Sequence, residues 1–449
     1  MQSSSNHRVD TDGELRKNPV GTPNDGESRT VSRSAANENP AVRSPSTSRT
    51  SVGDRLKRLL LNSTGAAVSA LSALPVVSAA VAAGGDAVGS SQLDWKRSLA
   101  ADDAEVCDVA TAGDGGYVAV GAVTDGRDAW IAKLDADGAV DWSSRVACGD
   151  GTDVARSVAP VGGGGYAFAG TSTSTDESDI FLVGTDRSGT RRWTRTFGGS
   201  EFDFCRTIVP TRDGGFAIAG STQSDTGEGQ DMWLLKTDAE ARFEWVRTYD
   251  RSSSDALADV VATDDGGYGL VGSTFGDGTD CWVARADVDG DVIWERTLSR
   301  SDVDVARSIV QTGDGGVALA GHTIIGDDRR KDAWLAKLDA EGSVEWQRTY
   351  GEGSDDLAVE LVRTADGGYA LLGTTITAGR ERTLIVKTDA AGHREWLRSL
   401  PDSGSVRSGL ADATPGTYVL AGTEAGGHGG RDADGWVARY SGPVGGPIS

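Results

Sequence analysis

The stretch LDWKRSL at 93–99 decides how this chain is assembled, because it is the closing half of a phrase that the sequence later writes six times in full. Complete versions read KLDAEGSVEWQRTYG at 337–351 and ARADVDGDVIWERTL at 284–298. Alignment on a glycine pair gives seven copies: DGGYVAVG from 114, GGGYAFAG from 163, DGGFAIAG from 213, DGGYGLVG from 265, DGGVALAG from 314, DGGYALLG from 366 and PGTYVLAG from 415. A spacing of about fifty residues marks a repeat architecture, so the length of 449 residues is not divided by a typical domain size.

Two further landmarks follow the glycine pairs. One is Asp-x-Trp with Lys or Arg three residues later, as in Asp128/Trp130/Lys133, Asp231/Trp233/Lys236, Asp280/Trp282/Arg285, Asp332/Trp334/Lys337 and Asp434/Trp436/Arg439. Phe181 stands in place of this Trp in the second copy and Leu384 in the sixth. The other is a later tryptophan at 142, 193, 245, 294, 346 and 396. That leaves one copy short of a late tryptophan, and Trp95 supplies it.

Each unit reads as four short strands; in the fifth copy they are VARSIVQT, VALAGHT, DAWLAKLD and SVEWQRTY, rich in β-branched and aromatic residues and punctuated by Asp and Gly turns. Asp-Gly after the first strand suits a tight hairpin. Several strands are apolar at successive positions, so both faces of each sheet must be covered, as when blades stack around an axis. A linear solenoid would need polar caps at its ends. This chain instead opens with a lone fourth strand and stops after a third strand near Tyr440. The two fragments complete one unit, and the expected fold is an all-β, seven-bladed β-propeller of four-stranded blades over 93–440, closed by its N-terminal strand.

The repeats then suggest a family. LDAEGSVEW resembles the tryptophan-docking repeat of quinoprotein propellers, with Asp339, Gly342 and Trp346 in matching order and one residue fewer. It is similar also to the Asp-box of sialidase propellers, with one residue more. Both resemblances imply a structural turn and carry no catalysis. The whole of 93–440 resembles the secreted DGGY-repeat propellers of archaea and bacteria, whose unit runs approximately TxDGGYxxxGxTxSxGxxDxWLxKLDxxGxxxWxxTYGG. That resemblance implies the fold and export, and no particular activity.

Ahead of the repeats, 1–54 is Ser, Thr, Asn, Arg, Pro and acid with few large apolar side chains, and is expected to be disordered. Arg55, Lys57 and Arg58 then precede an uncharged run over 59–85 ending near Ala80-Val81-Ala82. A basic flank, an apolar stretch and a small-residue site lay out an export signal, and the run is also long enough for a membrane anchor. Either reading places the body outside the cell, and a buried Ala-rich helix is the third. Residues 441–449 read as a flexible tail.

Charge narrows the partners. Residues 1–58 hold 10 Lys or Arg against 7 Asp or Glu, and the remainder 34 against 60. Such a body repels nucleic acid and anionic lipid, so neither is an expected partner, and membrane contact is expected only through 59–85 if uncleaved. The acid excess, with only eight Lys, resembles the proteomes of salt-loving archaea. Cys107, Cys148, Cys205 and Cys281 form no CxxC and read as small buried side chains.

One polar feature recurs in phase before the first strands: Asp153, Asp203, Asp255, Asp304 and Asp356, with Asp103 shifted by one and Ser405 in the last copy. These acids either accept backbone N–H bonds in their own loops or bind Ca²⁺, the one cofactor the sequence raises. The four His are scattered, no GxSxG is present, and no acid or Tyr departs from the repeat background to mark a catalytic site. The expected function is a monomeric extracellular or cell-surface binding or scaffold module. It would engage a protein or glycan through the variable loops STSTDESD, QSDTGEGQD, IIGDDRRKD and EAGGHGGRDAD. The alternative is a propeller enzyme of lactonase, glycan-cleaving or quinone-dependent type, with a metal or cofactor at the channel mouth.

Overall fold

The computed structural model describes residues 92–442 apart from short loop segments, the longest being 426–432, together with 7–9 and 15–17. The Ala-rich run at 59–85 and the tail beyond 442 lie outside the described residues. Within the segment expected to be disordered, His7–Val9 and Leu15–Lys17 pair as an antiparallel hairpin, and Leu15 reaches Phe197 on the edge of the second blade.

The fold is a seven-bladed β-propeller of antiparallel sheets. Strand order within each sheet follows the chain, as in the fifth blade: Asp304–Gln311, Val317–Ile324, Lys331–Leu338 and Val344–Tyr350. The seventh sheet combines Ser405–Ala411, Thr417–Ala425 and Ala433–Ser441 with Gln92–Ser98, which pairs antiparallel with the third of these. First strands contact one another in every neighbouring pair around the ring and therefore surround the axis.

Second and third strands are the filling. Tyr117–Val123 and Ala129–Leu134 are buried along their whole length, which explains their unbroken apolar runs. The apolar residues separate into seven clusters, each joining two adjacent blades, and one of them joins Val419, Ala421 and Val437 of the last blade to Val106, Tyr117 and Trp130 of the first. Fourth strands form the half-exposed outer rim, as in Val140–Val146.

The tryptophans are seam material. Of those on third strands, Trp130, Trp282, Trp334 and Trp436 are at most 1% exposed and Trp233 is 4% exposed. Those on fourth strands lie on the turn between third and fourth strands of the next blade, where a Cβ on Gly342 would meet the Trp294 ring at 2.6 Å. They also meet the ring of the DGGY tyrosine: Trp346–Tyr369 and Trp396–Tyr418 centroids are 6.1 Å apart. Trp95 makes the same contacts across the last seam, 5.8 Å from Tyr117 and against Gly138. Arg97, Arg195, Arg247, Arg296 and Arg348, each two residues after such a Trp, lie over its ring or reach the next turn, as Arg348 does over Trp346 and to the Ala391 carbonyl at 2.9 Å.

The lysine landmark is equally structural. Lys236 Nζ donates to Asp213 of the first hairpin at 2.7 Å, to Glu244 on the fourth strand at 2.8 Å and to the Thr237 carbonyl at 2.7 Å. Lys337 and Lys387 repeat the pattern with Asp314 and Glu345, and with Asp366 and Glu395. Each buried ammonium is thereby satisfied within its own blade, as an interior charge requires.

Candidate functional site in the axial channel

The channel lining begins with a glycine that packs no side chain. The last Gly of each DGGY phrase (Gly121, Gly170, Gly220, Gly272, Gly321, Gly373, Gly422) lies against a first-strand carbonyl, where a Cβ would come within 2.5 Å or less of the oxygen. Just beyond that approach every first strand takes a β-bulge. An extra residue twists the strand locally and re-aims its side chain. The bulged residues are Cys107, Arg156, Arg206, Ala258, Arg307, Val359 and Arg407, each followed by Asp108, Ser157, Thr207, Asp259, Ser308, Glu360 or Ser408.

The blades therefore fall into two kinds. Four place Arg at the bulge with Ser or Thr after it, and three place a small or apolar residue there with a carboxylate after it. The expectation that no acid departs from the repeat background fails here. Asp108, Asp259 and Glu360 break the symmetry at one level of the channel, and only alignment of the first strands at that phase would have exposed them. The late-Trp and glycine landmarks, being identical in every blade, drew attention to packing instead.

The acids bind neighbouring blades. Asp108 Oδ2 accepts the Val158 N–H at 2.9 Å and Oδ1 accepts the Ser408 hydroxyl at 2.6 Å, joining blades seven, one and two. Asp259 accepts the Ile309 N–H at 2.9 Å, and Glu360 accepts the Ser308 hydroxyl at 2.8 Å. Burial raises all three pKa values; for Asp259 it outweighs the N–H bonds from Ile309 and Val260 and, with Asp108 adding to the rise, lifts the group to about 7. Glu360 feels both Asp259 and Asp108, so the three blades direct charge at a common space.

The arginines face the same space from the other blades. Arg206 is pushed down to about 10 by its protein surroundings, by Arg156 and by Arg307. Arg156 and Arg307 are exposed and Arg206 and Arg407 half-buried, as expected of side chains ringed by protein yet open to the channel. None of the four forms a hydrogen bond or ion pair with the described residues.

Asp153, Asp203, Asp255, Asp304 and Asp356 sit at the first-strand starts, each at most 1% exposed, close to the rim from which the variable loops leave. Asp153 accepts the Cys148 N–H at 2.7 Å, Asp203 that of Gly199 at 2.7 Å, and Asp255 those of Arg251 and Ser252 at 2.7 and 2.8 Å. Asp304 caps its loop through Arg300 and Ser301 in the same manner. The five stand one per blade junction and do not gather. Asp255 alone among them has two carboxylates beside it, Asp231 and Asp250, with ligand atoms within 4.8 Å of one another. Burial, Asp250 and Asp255 raise Asp231 to about 6.

The sequence matches no protein-family model and no curated protein. Solved structures do resemble the fold. The β-propeller domain of Cps50 (Swd1) from Myceliophteria thermophila matches 78% of this chain and 99% of its own, with a TM-score of 0.51 at 11% identity. Sqt1 from Chaetomium thermophilum matches 79% of this chain and 91% of its own, at TM-score 0.48 and 13% identity. For the polysaccharide lyase Uly1 the values are 76%, 90%, 0.49 and 10%. At such identities the likeness extends to the propeller architecture alone.

Other chemistry is sparse among the described residues. All four cysteines are free thiols whose pKa burial raises, to about 12 for Cys205, so none is poised as a nucleophile. His322 is buried and held neutral, its pKa lowered to about 3 by burial and by Arg307 and Lys331. His393 is exposed and pairs with Asp389 at 3.1 Å. Among the described residues, no nucleophile, base and orienting acid converge in the manner acyl transfer needs. The arrangement is suited to holding a ligand at the axis.

Proposed function

We propose that the chain is an exported binding module, displayed at the cell surface, that takes its ligand at the rim and mouth of the channel. One observation carries this reading. The glycine, tryptophan and lysine landmarks of the repeat are engaged in packing, in turns or in buried ion pairs, whereas the axial pair of positions divides the blades into two kinds, four with Arg and three with a carboxylate. A site of recognition is where a repeat protein departs from its own symmetry. Export is supported by the basic flank and apolar run at 55–85, and the acid-rich composition supports a secreted propeller of salt-adapted type.

The test is binding of the purified full chain to an array of cell-surface glycans and to envelope proteins from the source organism. Saturable binding that is lost when the loops at 174–177 and 223–230 are exchanged for Gly-Ser segments supports the module. Binding that ignores the rim overturns it. Mass analysis of the mature extracellular chain separates cleavage near 82 from an uncleaved anchor, and a chain recovered only from the cytosol would contradict export.

A second reading has its own observation: two carboxyl groups of the channel have their pKa values raised by burial and by neighbouring carboxylates, Asp259 to about 7 and Glu360 well above the usual carboxylate range, as suits a general acid. Turnover of a lactone, glycan or quinone-coupled substrate, abolished by Asp259→Asn, would establish the enzyme in place of the module.

A further inference from the structure

We propose that Arg156, Arg206, Arg307 and Arg407 form an anion-binding ring inside the channel, which takes a compact ligand bearing several carboxylate, sulfate or phosphate oxygens. The inference rests on the binding-module reading and names the ligand chemistry of that site.

Four guanidinium groups come from the same bulge position of blades two, three, five and seven, so they stand at one level around the axis. They lie two to four residues inside the first-strand starts, or about 10 Å below the rim. A planar, permanently charged fork suits oxyanions and binds them in pairs of N–H bonds. The outer-strand arginines are engaged with Trp rings, turn carbonyls and carboxylates, as Arg247 is with Trp245 and Asp291. The four channel arginines make no such contacts among the described residues.

Like charges gathered with no carboxylate paired to them among the described residues repel one another, and in a chain of net charge −23 their collection at one place is conspicuous. The nearby acids do not neutralise them. Asp108, Asp259 and Glu360 direct their oxygens at the Val158 and Ile309 N–H groups and at Ser308 and Ser408 hydroxyls. The three blades without Arg offer Cys107, Ala258 and Val359 at the bulge, leaving room toward the axis for a ligand. The acidic exterior turns away long polyanions such as nucleic acid, while a small anion, free or as the acidic end of a glycan, enters at the rim.

Calorimetric titration of the full chain tests this at fixed ionic strength, with citrate, sulfate and a uronic-acid tetrasaccharide as probes and chloride as the reference. Saturable one-to-one binding of citrate or the tetrasaccharide is expected, and the tighter of the two identifies a free anion or a glycan as source. Arg156→Gln combined with Arg307→Gln should weaken that binding by about tenfold or more, whereas Arg394→Gln combined with Arg398→Gln, the same charge change on an outer strand, should leave it unaltered. Both channel residues are exposed and lack a partner among the described residues, so a melting temperature no lower than that of the wild type is the folding control. No probe binding beyond chloride, or equal binding by the double variant, overturns the anion ring. A surface ligand still bound by the double variant would refute the ring and leave the module standing, and loss of all surface binding by the wild type would refute both.

Discussion

Gly321 shows how one missing side chain can govern the ring. Its Cβ position lies 1.9 Å from the Val305 carbonyl oxygen, with backbone on both sides and no flexible group to yield. Gly321→Ala is therefore expected to cost about 3 kcal/mol or more, read from the denaturant midpoint. Gly313→Ala, which meets only the end of the Arg363 side chain at 3.2 Å, should cost far less. Asp250 is the opposite case, an acid where two other blade junctions carry Gly198 and Gly351. Asp250→Asn relieves repulsion with Asp231 and Asp255 and should raise the melting temperature in the absence of divalent ions. If Ca²⁺ stabilises the wild type and the substitution abolishes that effect, the triad is a cation site; if Ca²⁺ has no effect, the acids serve their loops alone.

Strand Gln92–Ser98 carries the prediction at the next scale. Deleting 93–99 removes the outer strand of the seventh blade and, with it, Trp95 on Gly138 and the Arg97 bond to the Asp137 carbonyl at 3.2 Å. The Trp95→Ala substitution alone should cost about 2–3 kcal/mol, and the deletion should lower the melting temperature further. An unchanged melting temperature after the deletion would show that the ring does not depend on this strand. The strand pattern was legible because Trp, Gly and Asp recur at fixed spacing and because LDWKRSL had no partner of its own. The bulge was not legible: it depends on a backbone approach between Gly321 and Val305 that no hydropathy pattern records, and the channel residues it aims look like ordinary strand residues in the sequence.

Across the whole molecule, titration should oppose what is usual for acidic proteins. Asp259, raised to about 7, and Asp231, raised to about 6, keep protons in the folded state that the unfolded chain releases near 4. Their contribution is fully present below about pH 4 and is lost as pH rises through about 7. Asp213 and Asp265, lowered to about 2, act in the other direction, contributing above about 4 and losing that contribution as pH falls through about 2. His322, lowered to about 3, opposes the two raised acids, its contribution being lost as pH falls from about 6.5 toward 3. Melting temperature should therefore peak near pH 4–5 and fall toward 7 less steeply than the acids alone dictate, and Asp259→Asn should flatten that fall. A midpoint that rises steadily from pH 4 to 7 would contradict the protonated channel acids. At neutral pH, salt should stabilise the ring by screening its acidic surface, with the melting temperature climbing between about 0.05 and 1 M KCl. The five loop acids were legible in number and phase, but the symmetry that made them visible also concealed the channel, where departures between blades carry the information.

Seven bulges at one height make the lumen a surface that can drift on its own. A change at 107, 156, 206, 258, 307, 359 or 407 alters what the pore presents while leaving glycine, tryptophan and lysine seams untouched. Divergence among chains built on this repeat should therefore begin there, each descendant inheriting an intact ring and re-lining it for a different guest.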